Sequence, residues 1–471
     1  MKHQIFILLM MVFASYGQAQ DEWSLERCIN YALSHNLNIK QNALSVDFAE
    51  IDVSQSKHSR YPSLSGGANV SSNFGRTIDP VSNSFITENF FSNGFSLSSG
   101  VLLYNGSRIS NSIKQANVDK DVAGYNLEQV RRDIALSVSN NFLNVLFAEE
   151  NYSIAENQLQ SSYDQLNRTR KLIAAGVRPA NDSLDIKAQI ANNEQGIIAA
   201  ENNKVIALLN IKQLLNLDPD ISMILTLPEN VDMTTDPDLL DFATVYASAL
   251  KRQPNIQAAE LKVKSAAIGV DIAKAGLLPS VNAGGSIGTN YSNRGRRLDG
   301  LEEVIVNQEL LINEMPVTVG FKQQMPQFSD NPYTDQLNEN LSYGVRIGVN
   351  VPIYNNNIAK SNIERAKLNI VNAETQSQLA KNQLKTTIQQ AISDGRASKR
   401  KLEAANKSRL AQQAAFDNVT KKLNAGNIST FEYISQKNAL QRTEVNAVIA
   451  KYEYIFSLKV LDFYLGKLIT F

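Results

Sequence analysis

The run Ser342-Tyr343-Gly344-Val345-Arg346-Ile347-Gly348-Val349-Asn350-Val351-Pro352-Ile353 decides how the rest of the chain is read. Tyr343, Val345, Ile347, Val349, Val351 and Ile353 share one parity, while Ser342, Arg346 and Asn350 share the other. That is the period of a strand with one apolar and one polar face. Three further stretches alternate alike. Leu64, Gly66, Ala68, Val70 and Phe74 stand against Ser65, Asn69, Ser71 and Asn73; Phe95, Leu97, Val101 and Leu103 form the next set; Val281, Ala283, Ile287 and Tyr291 stand against Ser280, Asn282, Ser286 and Asn290. Four strands are therefore expected, over about 63–74, 93–104, 280–291 and 342–353.

After each pair of strands the period changes to that of a helix. Val130, Ile134, Val138, Phe142 and Val145 recur at three and four, as do Ile363, Ala366, Ile370 and Ala373. No proline interrupts residues 81–178, 180–218 or 353–471, and proline is what a helix interior tolerates least. A helix from Ser107 to Ala175 would run roughly 100 Å at its fixed rise per residue, far more than a compact domain can cover. Gly176 and Gly426 are where these helices should stop and reverse, since glycine adopts the left-handed position that closes a helix. Helical hairpins are expected over about 107–215, turning at 176, and about 357–465, turning at 426.

The two halves are copies of one plan. A shift of 217 places sets residues 32–64 over 249–281 with a third of the positions identical, among them Ala32, Leu33, Asn38, Ile39, Pro62 and Ser63. A shift of 250 pairs Tyr104-Asn105 with Tyr354-Asn355 and Gly176 with Gly426. The first repeat is expected over 20–217, a connector over 218–238 and the second repeat over 239–471. The extra residues of the second copy must fall at about 292–341, rich in Asn, Pro and charge, where a variable loop is expected.

Composition narrows the function. Among 471 residues, 46 Lys+Arg balance 46 Asp+Glu, so there is no electrostatic case for nucleic acid. The single cysteine, Cys28, excludes an internal disulfide and any Cys-rich metal site. Lys2 and His3 followed by the apolar run Ile5 to Phe13 and by Gly17-Gln18-Ala19 read as a cleaved signal peptide over 1–19. No later stretch is long and apolar enough for a membrane-spanning helix. Only His35 and His58 remain beyond the leader, and no catalytic, nucleotide-binding or metal-binding motif is present, so neither an enzyme nor a cofactor is expected.

Alternating strands fit either a soluble sheet or a membrane barrel. Export, a strand length suited to a tilted bilayer crossing, and helices too long to cover the sheet favour the barrel. Four strands cannot close a barrel, and hydrocarbon tolerates no open edge, so several copies must combine. Two copies would give a barrel filled by its own side chains, whereas three would give twelve strands and room for water.

These residues resemble the TolC-like outer-membrane efflux proteins of Gram-negative bacteria. The resemblance runs from about residue 23 to 467. It is carried by Arg60-Tyr61-Pro62-Ser63-Leu64 and Leu277-Leu278-Pro279-Ser280-Val281, by Leu103-Tyr104-Asn105-Gly106 and Ile353-Tyr354-Asn355-Asn356, and by the reversals at Gly176 and Gly426. It implies a mostly α fold with a small membrane β-barrel. The assembly would be a homotrimer with a twelve-stranded outer-membrane barrel, continued by a long periplasmic α-helical barrel and a mixed belt to which the connector would contribute. The implied role is a passive exit duct in the outer membrane, served by a periplasmic adaptor protein and an inner-membrane pump. The outlet of a type I protein secretion system is an alternative within transport, and a periplasmic coiled-coil structural protein is one from another class.

Some members of the family carry paired acidic residues that constrict the periplasmic end. Asp182 and Asp185, three apart after Gly176, are similar to that pattern, and Glu432 with Ser435 occupies the equivalent place in the second copy. The alternative is that Asn181 or Asp182 caps the returning helix and Asp185 sits in its first turn. Gly176, Val177, Arg178, Gly426, Ile428 and Phe431 are candidates for adaptor docking at the hairpin tips; the alternative for Val177, Ile428 and Phe431 is packing inside the hairpin, and for Arg178, with Lys171, Lys421 and Lys422, it is interhelix contact or a solvated charge near a helix C-terminus. Arg346 and Asn350 should face the barrel lumen.

Overall fold

The computed structural model describes residues 22–78, 83–87, 89–226, 235–312 and 315–466; the expected signal peptide and much of the connector lie outside them. In chain order the first copy comprises β1 (Glu22–Trp23), α1 (Leu25–His35), α2 (Leu37–His58), β2 (Ser63–Asn73), the short pair β3 (Thr77–Ile78) and β4 (Phe85–Ile86), β5 (Phe90–Asn105), α3 (Arg108–Ala174) and α4 (Asp182–Leu215). After β6 (Ile224–Leu225), the second copy comprises α5 (Phe242–Arg252), α6 (Pro254–Lys274), β7 (Ser280–Ser292), β8 (Arg296–Ile312), β9 (Met315–Asp330), α7 (Tyr333–Glu339), β10 (Ser342–Asn350), α8 (Ile358–Asn424) and α9 (Thr430–Leu465). The chain divides into two compact units, one formed by Met1–Ile51, Asn117–Ala266 and Leu368–Phe471, the other by Asp52–Ala116 and Ala267–Lys367.

The duplication extends to local chemistry. Ser24 caps α1 through its side chain and Asp241, 217 places on, caps α5 in the same way. Helices α3 and α8 each have 67 residues. Each follows its strand through two consecutive left-handed residues, Gly106 (φ 63°) and Ser107 (φ 66°) in one copy, Asn356 (φ 50°) and Asn357 (φ 63°) in the other. Glycine and asparagine are the residues that adopt this conformation at least cost. At Gly106 close packing adds a second requirement, because a β-carbon there would lie 2.9 Å from Leu278.

The helical unit is held by a core in which α1 inserts Cys28 and Ala32 against Val138 and Phe142 of α3, Ile211 and Leu215 of α4, and Ile455 of α9. Cys28 is fully enclosed, and burial pushes its thiol up to about 12, so it is inert at neutral pH. A second core joins Val245 and Ala249 of α5 to Leu384 and Ile388 of α8 and Leu461 of α9. Burying each such aliphatic side chain contributes about 1.5–3 kcal/mol. β1 pairs in parallel with β6, which ties the start of the described chain to the connector. The connector's far end is clamped by α8: Lys399 Nζ lies 2.8 Å from Asp236 and 2.9 Å from Asp238, and the Arg396 guanidinium donates to the carbonyls of Pro237 and Leu240.

The other unit contains a four-stranded antiparallel sheet in the order β10-β7-β5-β2. Two particulars differ from the sequence reading. β5 begins at Phe90, and a bulge between Leu102 and Tyr104 sets Tyr104 opposite Val281, so Leu103 has no opposite residue in the ladder and Tyr104 takes up the apolar register. β10 stops at Asn350, before Pro352, which has no amide hydrogen to continue a ladder. The stretch 292–341, expected as a variable loop, is instead built: β8 and β9 pair from Arg296↔Asp330 to Ile312↔Met315 as a long ribbon. Helix α7 buttresses its root, where the enclosed side chain of Gln336 accepts from the Ser292 N–H at 3.0 Å and donates to the Asn331 carbonyl at 2.7 Å.

Candidate functional site: a two-faced sheet and two helical tips

Residues directly opposed in an antiparallel ladder share a face, so the register assigns both faces of the sheet. Val345 pairs with Gly285, Ile347 with Ala283 and Val349 with Val281; Ala283 in turn pairs with Val101, and Ile287 with Leu97. Leu64 opposes Ser99, Ala68 opposes Phe95 and Val70 opposes Asn93 on that same face. It is predominantly aliphatic and, among the described residues, has no protein cover, Val345 being 88% exposed. The opposite face brings together Arg346 with Gly284, Asn350 with Ser280, Ser98 with Ser65 and Ser286, and Gly94 with Asn69 and Asn290. Here the side chains are small and polar, and Ser65 and Ser98 hydrogen-bond across the strands at 2.8 Å. Arg346 and Asn350 thus stand on the polar face. Among the described residues the outer edges of β2 and β10 have no partner strand.

The hairpin tips are built by equivalent turns. Gly176 (φ 74°) donates to the Ile173 carbonyl and Val177 to that of Leu172; Gly426 (φ 77°) donates to Leu423 and Asn427 to Lys422. Both are Schellman closures, which use the last helical carbonyls. The second tip re-enters its helix with Ser429 Oγ accepting from the Glu432 N–H at 3.1 Å, the first half of a capping box. The first tip has no such cap. Asn181 makes no capping hydrogen bond, and the Asp182 carboxylate turns to Arg178, so capping by either side chain is not what is found. Asp182 and Asp185 do lie in the first turn of α4, where the helix dipole favours them.

Arg178 joins the tips. Its Nη1 lies 3.2 Å from Asp182 and donates to the Ile428 carbonyl at 3.3 Å, while Nη2 donates to the Leu423 carbonyl at 2.8 Å. The Arg178 and Asp182 side chains are only 12% and 14% exposed. Asp185 and Glu432 are exposed, as are Val177 and Phe431, while Ile428 is half-buried. Sequence reading weighed Arg178 among solvated charges near helix ends. The available signal was its i,i+4 spacing to Asp182.

A second group escaped notice. Lys437 of α9 is enclosed, 6% exposed, and its Nζ donates to Ser161 and Ser162 at 3.0 and 3.1 Å. Asn193 also reaches Ser162, at 2.9 Å, and Gln189 links Asn193 to Asn438. Lys437 follows Thr430 and Tyr433 and precedes Leu440 at the spacing of core positions, and this was its legible signal. Burial pulls its ammonium down to about 8, partly opposed by the charge of Asp164. Unfolded, the amine titrates near its usual 10.5, so between these pH values the unfolded chain binds the extra proton and stability rises with pH. Below about 8 both states are protonated and the folded state bears the whole cost. Lys437→Met is accordingly expected to stabilise the helical unit by about 1–3 kcal/mol at pH 7 and to flatten its pH dependence between 8 and 10.5. Thermal unfolding followed by circular dichroism at several pH values checks this; a lower melting temperature for the variant at pH 7 would contradict it.

A sheet with one apolar and one polar face, duplicated in sequence with long reversing helices, is the plan of an outer-membrane channel protein. The chain belongs to the outer membrane efflux protein family, whose pattern matches residues 28–217 and 245–467. The family puts it in the outer membrane, and the family is one of efflux proteins and not of enzymes. The chain is 25% identical over 189 residues to the outer membrane protein TolC of Escherichia coli, a match covering 39% of this chain and 38% of TolC. Its matches span between 38% and 64% of the length of the curated relatives. The fold is shared over far more of the chain. VceC of Vibrio cholerae aligns with a TM-score of 0.73 over 95% of this chain and 97% of that one, at 14% identity. The open state of the MtrE outer membrane channel of Neisseria gonorrhoeae aligns at 0.68 over 95% and 89%, at 18% identity.

Proposed function

We propose that three copies of this chain close a twelve-stranded barrel and act as the passive exit duct of a tripartite efflux system, receiving small molecules from a periplasmic adaptor and an inner-membrane pump. The observation that carries this reading is the sheet register, which gathers Arg346, Asn350, serines and glycines on one face and the aliphatic set on the other. The unpaired edges of β2 and β10 support closure by neighbouring copies, because hydrocarbon leaves no unsatisfied backbone group unpunished. A periplasmic coiled-coil protein would have no use for such a sheet. At the hairpin tips, the exposed Val177 and Phe431 beside Gly176, Arg178, Gly426 and Ile428 offer the apolar patch on which an adaptor would dock. Asp185 and Glu432, both exposed, are the free carboxylates of the gate, while Asp182 is held by Arg178.

Detergent-folded protein inserted into planar bilayers is expected to give discrete conductance steps, and Asp185→Lys to change their size or gating. Folded trimers that conduct nothing would defeat the duct. Unaltered conductance after Asp182 and Asp185 are both replaced would leave the duct standing and remove those two aspartates from the gate.

A further inference from the structure

Among the described residues, the β8–β9 ribbon has a mainly apolar face with no partner. Beyond the bulge between Leu298 and Gly300, register puts Val304, Val306 and Leu310 of β8 on one face with Val317, Val319, Phe321 and Met325 of β9, interrupted by Gln308, Gln323 and, near the root, by Glu302 and Gln327, which bond to each other. Leu310, Phe321 and Met325 remain exposed in the single chain. The other face carries Glu303, Asn307, Glu309, Thr318, Lys322 and Gln324, with Glu303 and Lys322 ion-paired at 2.8 Å, and its apolar residues are Leu301, Ile305 and Leu311 with Pro316 and Pro326. At the strand rise, each arm is about 55 Å long. A two-stranded ribbon is at best marginally stable in water, and one with a single apolar face needs that face covered.

We propose that the cover is the same face of the ribbons from neighbouring protomers, so that three ribbons pack together beyond the barrel's outer rim. This rests on the trimer reading. Three observations choose a second copy as the occupant. First, the ribbon is continuous with the edge that copies must share, since β9 passes through α7 directly into β10, whose outer edge is unpaired. Second, its root is rigid: enclosed Gln336 joins Ser292 to Asn331, Thr289 Oγ1 donates to the Leu337 carbonyl at 2.6 Å, and Asn340 donates to the Asn290 carbonyl at 2.8 Å. A fixed root gives each copy's ribbon the same orientation about a rotation axis, and a closed rotation can then turn three like faces toward one another. Third, association through strand edges is discouraged. Pro316 and Pro326 lie ten residues apart in β9, on one parity, and the ladder to β8 runs through both, so their missing amides blunt the outer edge. What remains for contact is the apolar face.

The ribbon leaves β7 at Ser292 and returns at Ser342, the sheet end opposite the helices, so the joined ribbons would stand at the exterior mouth. The test uses the full-length protein in detergent and a short rigid bismaleimide, which needs no oxidant. Cys28 is enclosed and stays silent as background. Phe321→Cys and Val306→Cys are expected to cross-link between protomers on the order of tenfold faster than Lys322→Cys and Asn307→Cys on the opposite face. Native mass spectrometry on the same samples reports the trimer independently. A trimer in which Phe321→Cys and Val306→Cys fail to link, or in which both faces link equally, overturns the ribbon contact while leaving the duct reading intact. Absence of the trimer removes the reading beneath it. Quenching of a fluorophore on Phe321→Cys by brominated lipid, in an intact trimer, would give the face to the bilayer and also overturn the proposal.

Discussion

Val345→Arg is expected to abolish trimer assembly in the membrane, whereas Arg346→Glu, one residue along, should assemble normally and shift the channel's ion preference toward cations. The two side chains leave β10 on opposite faces. Val345 opposes Gly285 in a patch with Ile347 and Ala283, and Arg346 opposes Gly284 among serines and asparagines. An arginine facing lipid near the bilayer midplane costs about 2–4 kcal/mol, and a three-fold assembly incurs it three times. On the polar face a carboxylate keeps its water, so folding should be almost unaffected. The ratio of trimer to monomer on mild electrophoresis reads the first effect, and the reversal potential in a salt gradient reads the second. Normal assembly of Val345→Arg would mean that the faces have been assigned the wrong way round.

Arg178→Ala should loosen both helical tips at once. It removes a guanidinium that serves a carboxylate and two carbonyls in a nearly closed site, and it leaves Asp182 half-buried without its cation. Removing one member of such a pair costs about 2–5 kcal/mol, because the remaining charge is stranded as well as the bonds lost. Asp182→Asn should cost less, since the two bonds to the carbonyls of Leu423 and Ile428 survive. Hydrogen exchange is the direct measurement: amides of 172–185 and 421–432 should exchange faster together in Arg178→Ala, and Lys171→Ala should leave them unchanged. Unaltered exchange at the second tip would refute the bridge. If the tips are also the closing point, the variant's conductance should rise.

Much of this architecture was legible because it is written in local rules. Pro62 and Pro279 mark strand entries, and Gly176 and Gly426 mark reversals. The strand-to-helix turns carry Gly106-Ser107 and Asn356-Asn357 because two successive left-handed residues are required there. The features that escaped depend on which elements meet. Nothing local says that Arg178 reaches carbonyls some 250 residues away, or that Lys437 is closed over by Ser161 and Ser162. The bulge at Leu102 and Tyr104 changes parity without any glycine or proline to announce it. Across 292–341 the prolines, asparagines and charges suggested a loop, yet Pro316, Pro326, Glu303, Asn307, Glu309 and Lys322 share one face of a ribbon whose apolar residues gather mainly on the other.

The polar face of the sheet has one more consequence. In several places it is backbone with an amide laid over it, as where Asn69 stands beside Gly94 and Asn282 beside Gly348. Hydroxyls, carboxamides and bare peptide offer a passing solute attractions about equal to those of the solvent it would give up, so dwell times along such a wall should be brief. In the proposed duct such a wall would sort uncharged cargo by girth and leave the finer choice to whatever feeds it.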